Sequence, residues 1–239
     1  MLSQCFNYLR YVANVACLLP ELLDLGGNAL SGNLPQDWSQ MANLEFLYLN
    51  NNDFGGNLPD SFGSLPNLLV LNVAGNSMTG QIPDMFAGME SLAAFRVDEN
   101  SFSGEIPPSV GELKALQVFK INSNADENGN GGFSGPIPPS IGGLDSVQFL
   151  ELAGNSLSGQ IPPEVGDLQT LTLLDLQDND LTGPIPVELG NLFNLERLLL
   201  AGNNLDGPFP GEICEAETID VIIPDCSLEC PVDCCSSCL

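Results

Sequence analysis

The residues best equipped for chemistry in this chain are its eight cysteines. Cys214, Cys226, Cys230, Cys234, Cys235 and Cys238 crowd the last 26 residues, while Cys5 and Cys17 lie near the start. Thiolates at such spacing support two chemistries. Cys230, Cys234, Cys235 and Cys238 offer a set of four ligands for a zinc ion. The other reading is disulfide staples at both ends, formed in an oxidising compartment. The absence of histidine and the six C-terminal cysteines, enough for three bridges, favour disulfides. Their pairing stays open, since six cysteines allow fifteen connectivities. Lack of histidine also removes imidazole acid–base and triad chemistry. The 31 carboxylates are too common for any pair to stand out as a glycosidase site, and no catalytic residue or cofactor is expected. Asn124, Asp126, Asn128 and Gly129 match the first half of a calcium-loop spacing. Position twelve is Gly135 and not an acid, so calcium is a weak candidate and no metal is assigned.

Charge narrows the partners. Five Lys and Arg stand against 31 Asp and Glu, a formal net charge of −26. Nucleic acid requires a basic footprint and is excluded; anionic membranes are disfavoured on the same ground. Cationic partners are favoured, although acidity also serves solubility.

The elements that must position any site are set by a repeat. Asn28, Asn52, Asn76, Asn100, Asn124, Asn155, Asn179 and Asn203 follow one another at 24-residue steps, save the 31-residue step to Asn155. Such a period marks a solenoid, whose stability is nearly a sum over rungs and whose ends need caps. Five and three residues before each Asn the chain is apolar, from Leu23 and Leu25 to Leu198 and Leu200. Apolar, any, apolar is a short strand with one buried face, so eight strands should lie side by side in a parallel sheet. Gly then recurs at 32, 56, 80, 104, 135, 159, 183 and 207, a backbone position that a Cβ would strain or crowd. Pro follows three residues later, from Pro35 to Pro210, holding that segment extended. Trp38, Phe62, Phe86, Val110, Ile141, Val165, Leu189 and Ile213 form another inward column. The repeated Asn is read as structural, its buried amide bonding backbone groups of its own turn and of the next rung.

Assembled, the pattern is L-x-x-L-x-x-L-x-L-x-x-N-x-L-x-G-x-I-P, as in LEFLYLNNNDFGGNLP (residues 44–59) and LTLLDLQDNDLTGPIP (residues 171–186). It resembles the plant-type leucine-rich repeat family over roughly residues 20–223. The resemblance implies an α/β fold: a right-handed solenoid with a concave parallel sheet of about eight to nine short strands and a convex side of 3-10 turns and extended segments. Residues 1–19 then form an N-terminal cap, 20–211 a solenoid of eight repeats with an insertion near 125–132, and 212–239 a Cys-rich cap. Similar Cys-rich ends occur in secreted plant and algal members. The family's usual N-terminal pair of Cys with a Trp is not recognisable, nor is a signal peptide in residues 1–20, so this cap is unusual or the start incomplete. That segment is too short and polar to span a membrane. No N-x-S/T sequon occurs among 23 Asn. Secretion is expected from the cysteines and the family.

The family mostly recognises proteins, peptides or glycans, and the concave face is its default surface. The central outward column reads Asp24, Tyr48, Asn72, Arg96, Lys120, Glu151, Asp175, Leu199. Arg96, Lys120 and Arg197, three of the five basic residues, lie on that face; Asp98 and Glu99 accompany Arg96, and Glu151 faces Lys120. The preceding column, Leu22, Phe46, Val70, Ala94, Val118, Phe149, Leu173, Arg197, is apolar at seven of eight positions and offers Phe46 and Phe149 as anchors beside Tyr48. The expected contacts are thus Phe46, Tyr48, Arg96, Asp98, Lys120, Phe149, Glu151, Asp175 and Arg197. The expected function is a non-catalytic, receptor-like recognition module for a protein or peptide, acting as a monomer or as part of a larger complex. An acidic structural spacer, an inhibitor of a secreted hydrolase and an ice-binding face are the alternatives. The last is weakened by the varied residues before the Ile-Pro step (Asn33, Asn57, Gln81, Glu105, Pro136, Gln160, Pro184, Pro208).

Overall fold

The computed structural model describes residues 20–124, 131–214 and 220–222. The eight-strand expectation is met and extended by one. Nine three-residue strands form a single sheet in chain order: Leu22–Asp24, Phe46–Tyr48, Val70–Asn72, Ala94–Arg96, Val118–Lys120, Phe149–Glu151, Leu173–Asp175, Arg197–Leu199 and Asp220–Ile222. Every pairing is parallel, and through the first eight strands each step is one full repeat, as in Leu47↔Leu71 and Phe95↔Phe119. The step across the insertion keeps the register, with Phe119 opposite Leu150. The middle residue of the strands from Phe46–Tyr48 to Arg197–Leu199, such as Leu47 or Leu150, is almost wholly excluded from solvent, because apolar alternation commits one strand face to the core; Leu23 in the first strand is half-buried.

The apolar position two residues after each Asn, with the Gly two residues on, builds something the sequence did not announce. The extended segments pair as two further parallel sheets of four strands each. One contains Ser31–Asn33, Asp53–Gly56, Ser77–Gly80 and Ser101–Phe102; the other contains Ser134–Gly135, Ser156–Gly159, Asp180–Gly183 and Asn204–Leu205. Among the described residues a lone bridge, Gly104↔Phe133, joins them, next to the insertion. The repeated Gly has positive φ at all eight positions, for example 83° at Gly80 and 76° at Gly183, which explains its invariance within the chain. The Pro of each Ile-Pro step comes after the strand. It precedes the 3-10 turns Asp60–Ser64, Pro108–Glu112, Pro139–Gly143, Pro163–Asp167 and Val187–Asn191, where a missing N–H costs nothing. Among the described residues the only α-helix is the single turn Gly211–Cys214, so the helical content is almost entirely 3-10.

These turns stack very closely. A Cβ on Gly142 would stand 2.6 Å from the Glu164 carbonyl oxygen, and one on Gly166 would stand 2.5 Å from that of Glu188. The turns carry Phe62, Phe86, Val110, Ile141, Val165 and Leu189 into one continuous core, as the sequence column required. Aromatic contacts reinforce the core. The ring centroids of Phe86 and Phe95 are 5.2 Å apart, edge to face, and those of Phe95 and Phe119 are 5.6 Å apart, stacked.

The Asn column forms the expected internal ladder, with one change of direction. Each amide reaches back to the preceding rung, not forward. Asn52 Nδ2 donates to Leu25 O at 2.8 Å and to Leu49 O at 3.1 Å, while its Oδ1 accepts the Leu30 N–H at 3.0 Å. The same three-way pattern recurs from Asn76 to Asn203. Asn28 has no described rung behind it. Its amide is exposed and donates only to the Leu25 and Gly26 carbonyls of its own turn. The ladder satisfies buried backbone groups that a tight turn between strands leaves without strand partners.

Candidate functional site

Strand pairing places the expected outward column on one face in a single line. The sequence of partners Asp24↔Tyr48↔Asn72↔Arg96↔Lys120↔Glu151↔Asp175↔Leu199 is unbroken. Neighbours in this line stand about 4.8 Å apart, the spacing of sheet strands. Among the described residues no other element packs on this open face.

The face is less even than the columns suggested. Asn72 and Leu199 are buried at 7% and 5% exposure, so the line is accessible mainly at Asp24, Tyr48 and the run Arg96 to Asp175. The preceding apolar column is mostly half-buried: Phe46, Val70, Ala94, Val118 and Leu173 pack along their flanks, and only Leu22 and Phe149 present large apolar surface, at 55% and 37% exposure. A continuous exposed stripe is therefore not what this sheet offers. Phe46 and Phe149 are both on the face, 103 residues apart in sequence, and do not form one anchor.

The structure gives each central cation an acid. Arg96 Nη2 lies 3.2 Å from Asp98 Oδ2, and Lys120 Nζ lies 2.5 Å from Glu151 Oε1. Asp98 is 5% exposed, so its carboxylate sits under the guanidinium and not at the surface. This arrangement relieves the repulsion expected of Arg96 beside Lys120. Arg197, at the start of its strand, is exposed.

Asp175, in the central line, has a displaced titration. Burial raises its carboxyl above the ordinary carboxylate range. Hydrogen bonds from the Gln177 backbone and side-chain N–H groups, at 3.1 and 3.2 Å, oppose that rise; Glu151 adds to it and Arg197 subtracts. A carboxyl raised in the folded state contributes stability below its unfolded pKa, and that contribution is lost as pH rises through the folded pKa. Asp175→Asn should therefore raise the melting temperature at neutral pH, with the advantage fading as pH falls through the raised folded pKa and gone below the ordinary carboxylate pKa of about 4. Melting curves of both proteins across that range check it; an advantage that persists unchanged at low pH would refute burial of the charge as its source.

Two features of the face were not anticipated. Asn122, two residues after Lys120, has a buried amide oxygen with no hydrogen-bond partner. One residue before each repeated Asn, the chain takes positive φ at all eight rungs: Gly27, Asn51, Gly75, Glu99, Ser123, Gly154, Asp178 and Gly202. The signal was visible as four Gly, one Asn and one Asp at one offset, residue types that tolerate this conformation.

Of the weak calcium set, Asn124 is buried within the ladder, its Oδ1 accepting the Phe102 N–H at 3.0 Å and its Nδ2 donating to Ile121 O at 2.8 Å. Asp126 and Asn128 lie outside the described residues, as do Cys5, Cys17, Cys226, Cys230, Cys234, Cys235 and Cys238 and the N-terminal cap; of the C-terminal cap only residues 212–214 and 220–222 are described. Only the backbone of Cys214 is described. No helix of the described residues is long and apolar enough to cross a membrane.

The sequence matches the family model Leucine Rich Repeat over residues 43–65, 67–89, 146–168, 170–192 and 194–216. The fold is similar to a TDR receptor, with 31% identity and a TM-score of 0.77 over 82% of this chain and 33% of that one. It is also similar to the Arabidopsis receptor kinase HAESA, solved in complex with the peptide hormone IDA and the co-receptor SERK1, with 32% identity and a TM-score of 0.76 over 84% of this chain and 34% of that one. The plant peptide hormone receptor RGFR1, solved in complex with RGF2, matches at 31% identity and a TM-score of 0.72 over 86% of this chain and 36% of that one. The chain thus spans about a third of the length of these receptors. The sequence matches no curated protein.

Proposed function

Because this chain is a plant-type leucine-rich-repeat protein, we propose that it is a recognition module that binds a protein or an extended peptide along the open face of its nine-stranded sheet. One observation carries the reading: the unpartnered face lines up Tyr48, Arg96, Lys120, Glu151 and Asp175, flanked by Phe46 and Phe149. Half-buried apolar flanks supply contact area, and a central line of charges supplies orientation and partner choice. Solved neighbours of the same fold hold peptide hormones, which supports the partner class. An oxidising, extracellular setting fits those neighbours and the terminal cysteines.

The spacer alternative keeps one supporting observation, the internal pairing of Arg96 with Asp98 and of Lys120 with Glu151, which leaves both cations satisfied without a ligand. Affinity capture from the native source separates the two. The informative variant is Arg96→Gln/Lys120→Gln, not a charge reversal, because Gln still donates to the buried Asp98 and to Glu151. A partner held by the wild type and depleted about tenfold or more on the variant supports recognition, that being the usual weight of losing one strong charge-assisted contact. Equal capture by both proteins would remove this face from the function and favour the spacer.

A further inference from the structure

Two neighbouring strands of the open face form a tile unlike any other on the sheet. Phe149 is paired with Leu173, and Glu151 with Asp175, so an apolar pair and an acidic pair make a square two residues wide and two strands deep. Phe149 is one of four large apolar side chains that the described residues leave exposed, at 37%. Glu151 and Asp175 face each other directly across the strands, an arrangement of like charges that costs a sheet stability. Lys120 answers only one of them: it lies 2.5 Å from Glu151 Oε1. On the next strand Arg197 stands opposite Leu173, not opposite Asp175.

We infer that this tile seats an arginine side chain of the partner, with its stem on Phe149 and Leu173 and its guanidinium across Glu151 and Asp175. The inference rests on the recognition reading above and names the partner's chemistry at one point of that face. Three considerations support arginine. Strand neighbours stand about 4.8 Å apart, a separation that the planar five-donor fork bridges and a compact ammonium does not. An exposed aromatic ring beside two carboxylates provides both a cation–π surface and charge-assisted acceptors. A chain with a net charge of −26 draws a cationic segment toward it from every direction, so the tile needs only to fix its register. Separately, the carboxyl of Asp175 is held above its ordinary range by burial and by Glu151, against the Gln177 hydrogen bonds and the nearby charge of Arg197. An arriving cation lowers that carboxyl's pKa, so binding should weaken as pH falls into the range where Asp175 takes up a proton.

The test uses the whole chain at about 0.15 M salt, where loose counterion attraction is screened within about 8 Å. N-acetyl-arginine amide is titrated in while the Phe149 ring and Asp175 carboxylate resonances are followed. N-acetyl-citrulline amide, which has nearly the same shape without the charge, is the control. Saturable shifts centred on these two residues are expected with arginine only. Phe149→Ser/Asp175→Asn should weaken the affinity about tenfold, the loss of one cation–π contact and one charge-assisted bond together. A single cooperative melting transition confirms that this variant is folded. Equal shifts with citrulline amide, an unsaturable drift over the whole acidic surface, or an unchanged affinity in the variant each overturn the inference. If capture yields a partner that depends on Arg96 and Lys120 while arginine amide ignores the tile, only this inference falls. If arginine amide seats there while capture finds no face-dependent partner, the recognition module is what fails.

Discussion

Phe95→Ala is expected to destabilise the protein by about 3–5 kcal/mol, the usual cost of emptying a core aromatic site. The side chain is wholly buried and lies between two others, with ring centroids 5.2 Å from Phe86 and 5.6 Å from Phe119. It is therefore the middle member of an aromatic run that crosses from a 3-10 turn to two strands of the long sheet. Collapse cannot fill the gap, because the strands on either side hold their register through the Asn ladder and the turns beneath are already close-packed. For a chain of this size each kcal/mol shifts the melting temperature by roughly 2–4 °C, so a drop of about 10 °C is the central expectation. Phe95→Leu, which retains much of the volume, should recover most of the loss. Thermal unfolding of the three proteins decides it. A penalty below about 1 kcal/mol for the Ala variant would mean that rungs relax independently and that the run does not act as a unit.

The fold was almost fully legible because a solenoid repeats its instructions. Leu47, Leu71 and Phe95 occupy one structural position three times, so one misleading residue is outvoted by its equivalents. What escaped was the pairing of the segments from Ser31 to Asn33, Asp53 to Gly56 and onward into two further sheets. Their Gly and nearby Pro argue against strand at each position taken alone. Pairing arises only because the same segment returns one rung away, and the Pro falls just beyond the strand, where its missing N–H is harmless. The insertion shows the same logic in reverse. Its position was plain from the 31-residue step, yet the break it causes, the lone bridge Gly104↔Phe133, depends on geometry between rungs.

The candidate site was legible in its columns and not in its energetics. Alternation along each strand places Arg96, Lys120, Glu151 and Asp175 in line, and pairing confirms that line. Alternation carries no information on depth. Asp98 and Ala201 share one column of the face with Asn122, yet the first two are buried at 5% and 8%. Exposure on this face thus differs between rungs at one and the same repeat position. The same limit turned an apparent apolar stripe into two separated points, Leu22 and Phe149, because the intervening Val70, Ala94 and Val118 cover one another.

The ladder yields the second large effect, and it joins fold to site. Asn100 Nδ2 donates to Val73 O at 3.0 Å, Val97 O at 3.2 Å and Asp98 O at 3.1 Å, and its Oδ1 accepts the Met78 N–H at 2.9 Å. Asn100→Ala removes the partner of a buried N–H and of carbonyls on two rungs, and should cost about 1–3 kcal/mol. Asn28→Ala removes the same amide from an exposed turn, where water replaces its two carbonyl bonds, and should stay within about 0.5 kcal/mol. The two substitutions are chemically identical, so any difference between them measures burial and reach to the preceding rung. Asn100 also fixes the turn that holds Asp98 beneath Arg96, so the variant should loosen that ion pair and blunt binding on the open face without altering any residue exposed there. Equal melting temperatures for the Asn100 and Asn28 variants would show that the repeated amide is a local turn device and that the rungs are held by apolar packing alone.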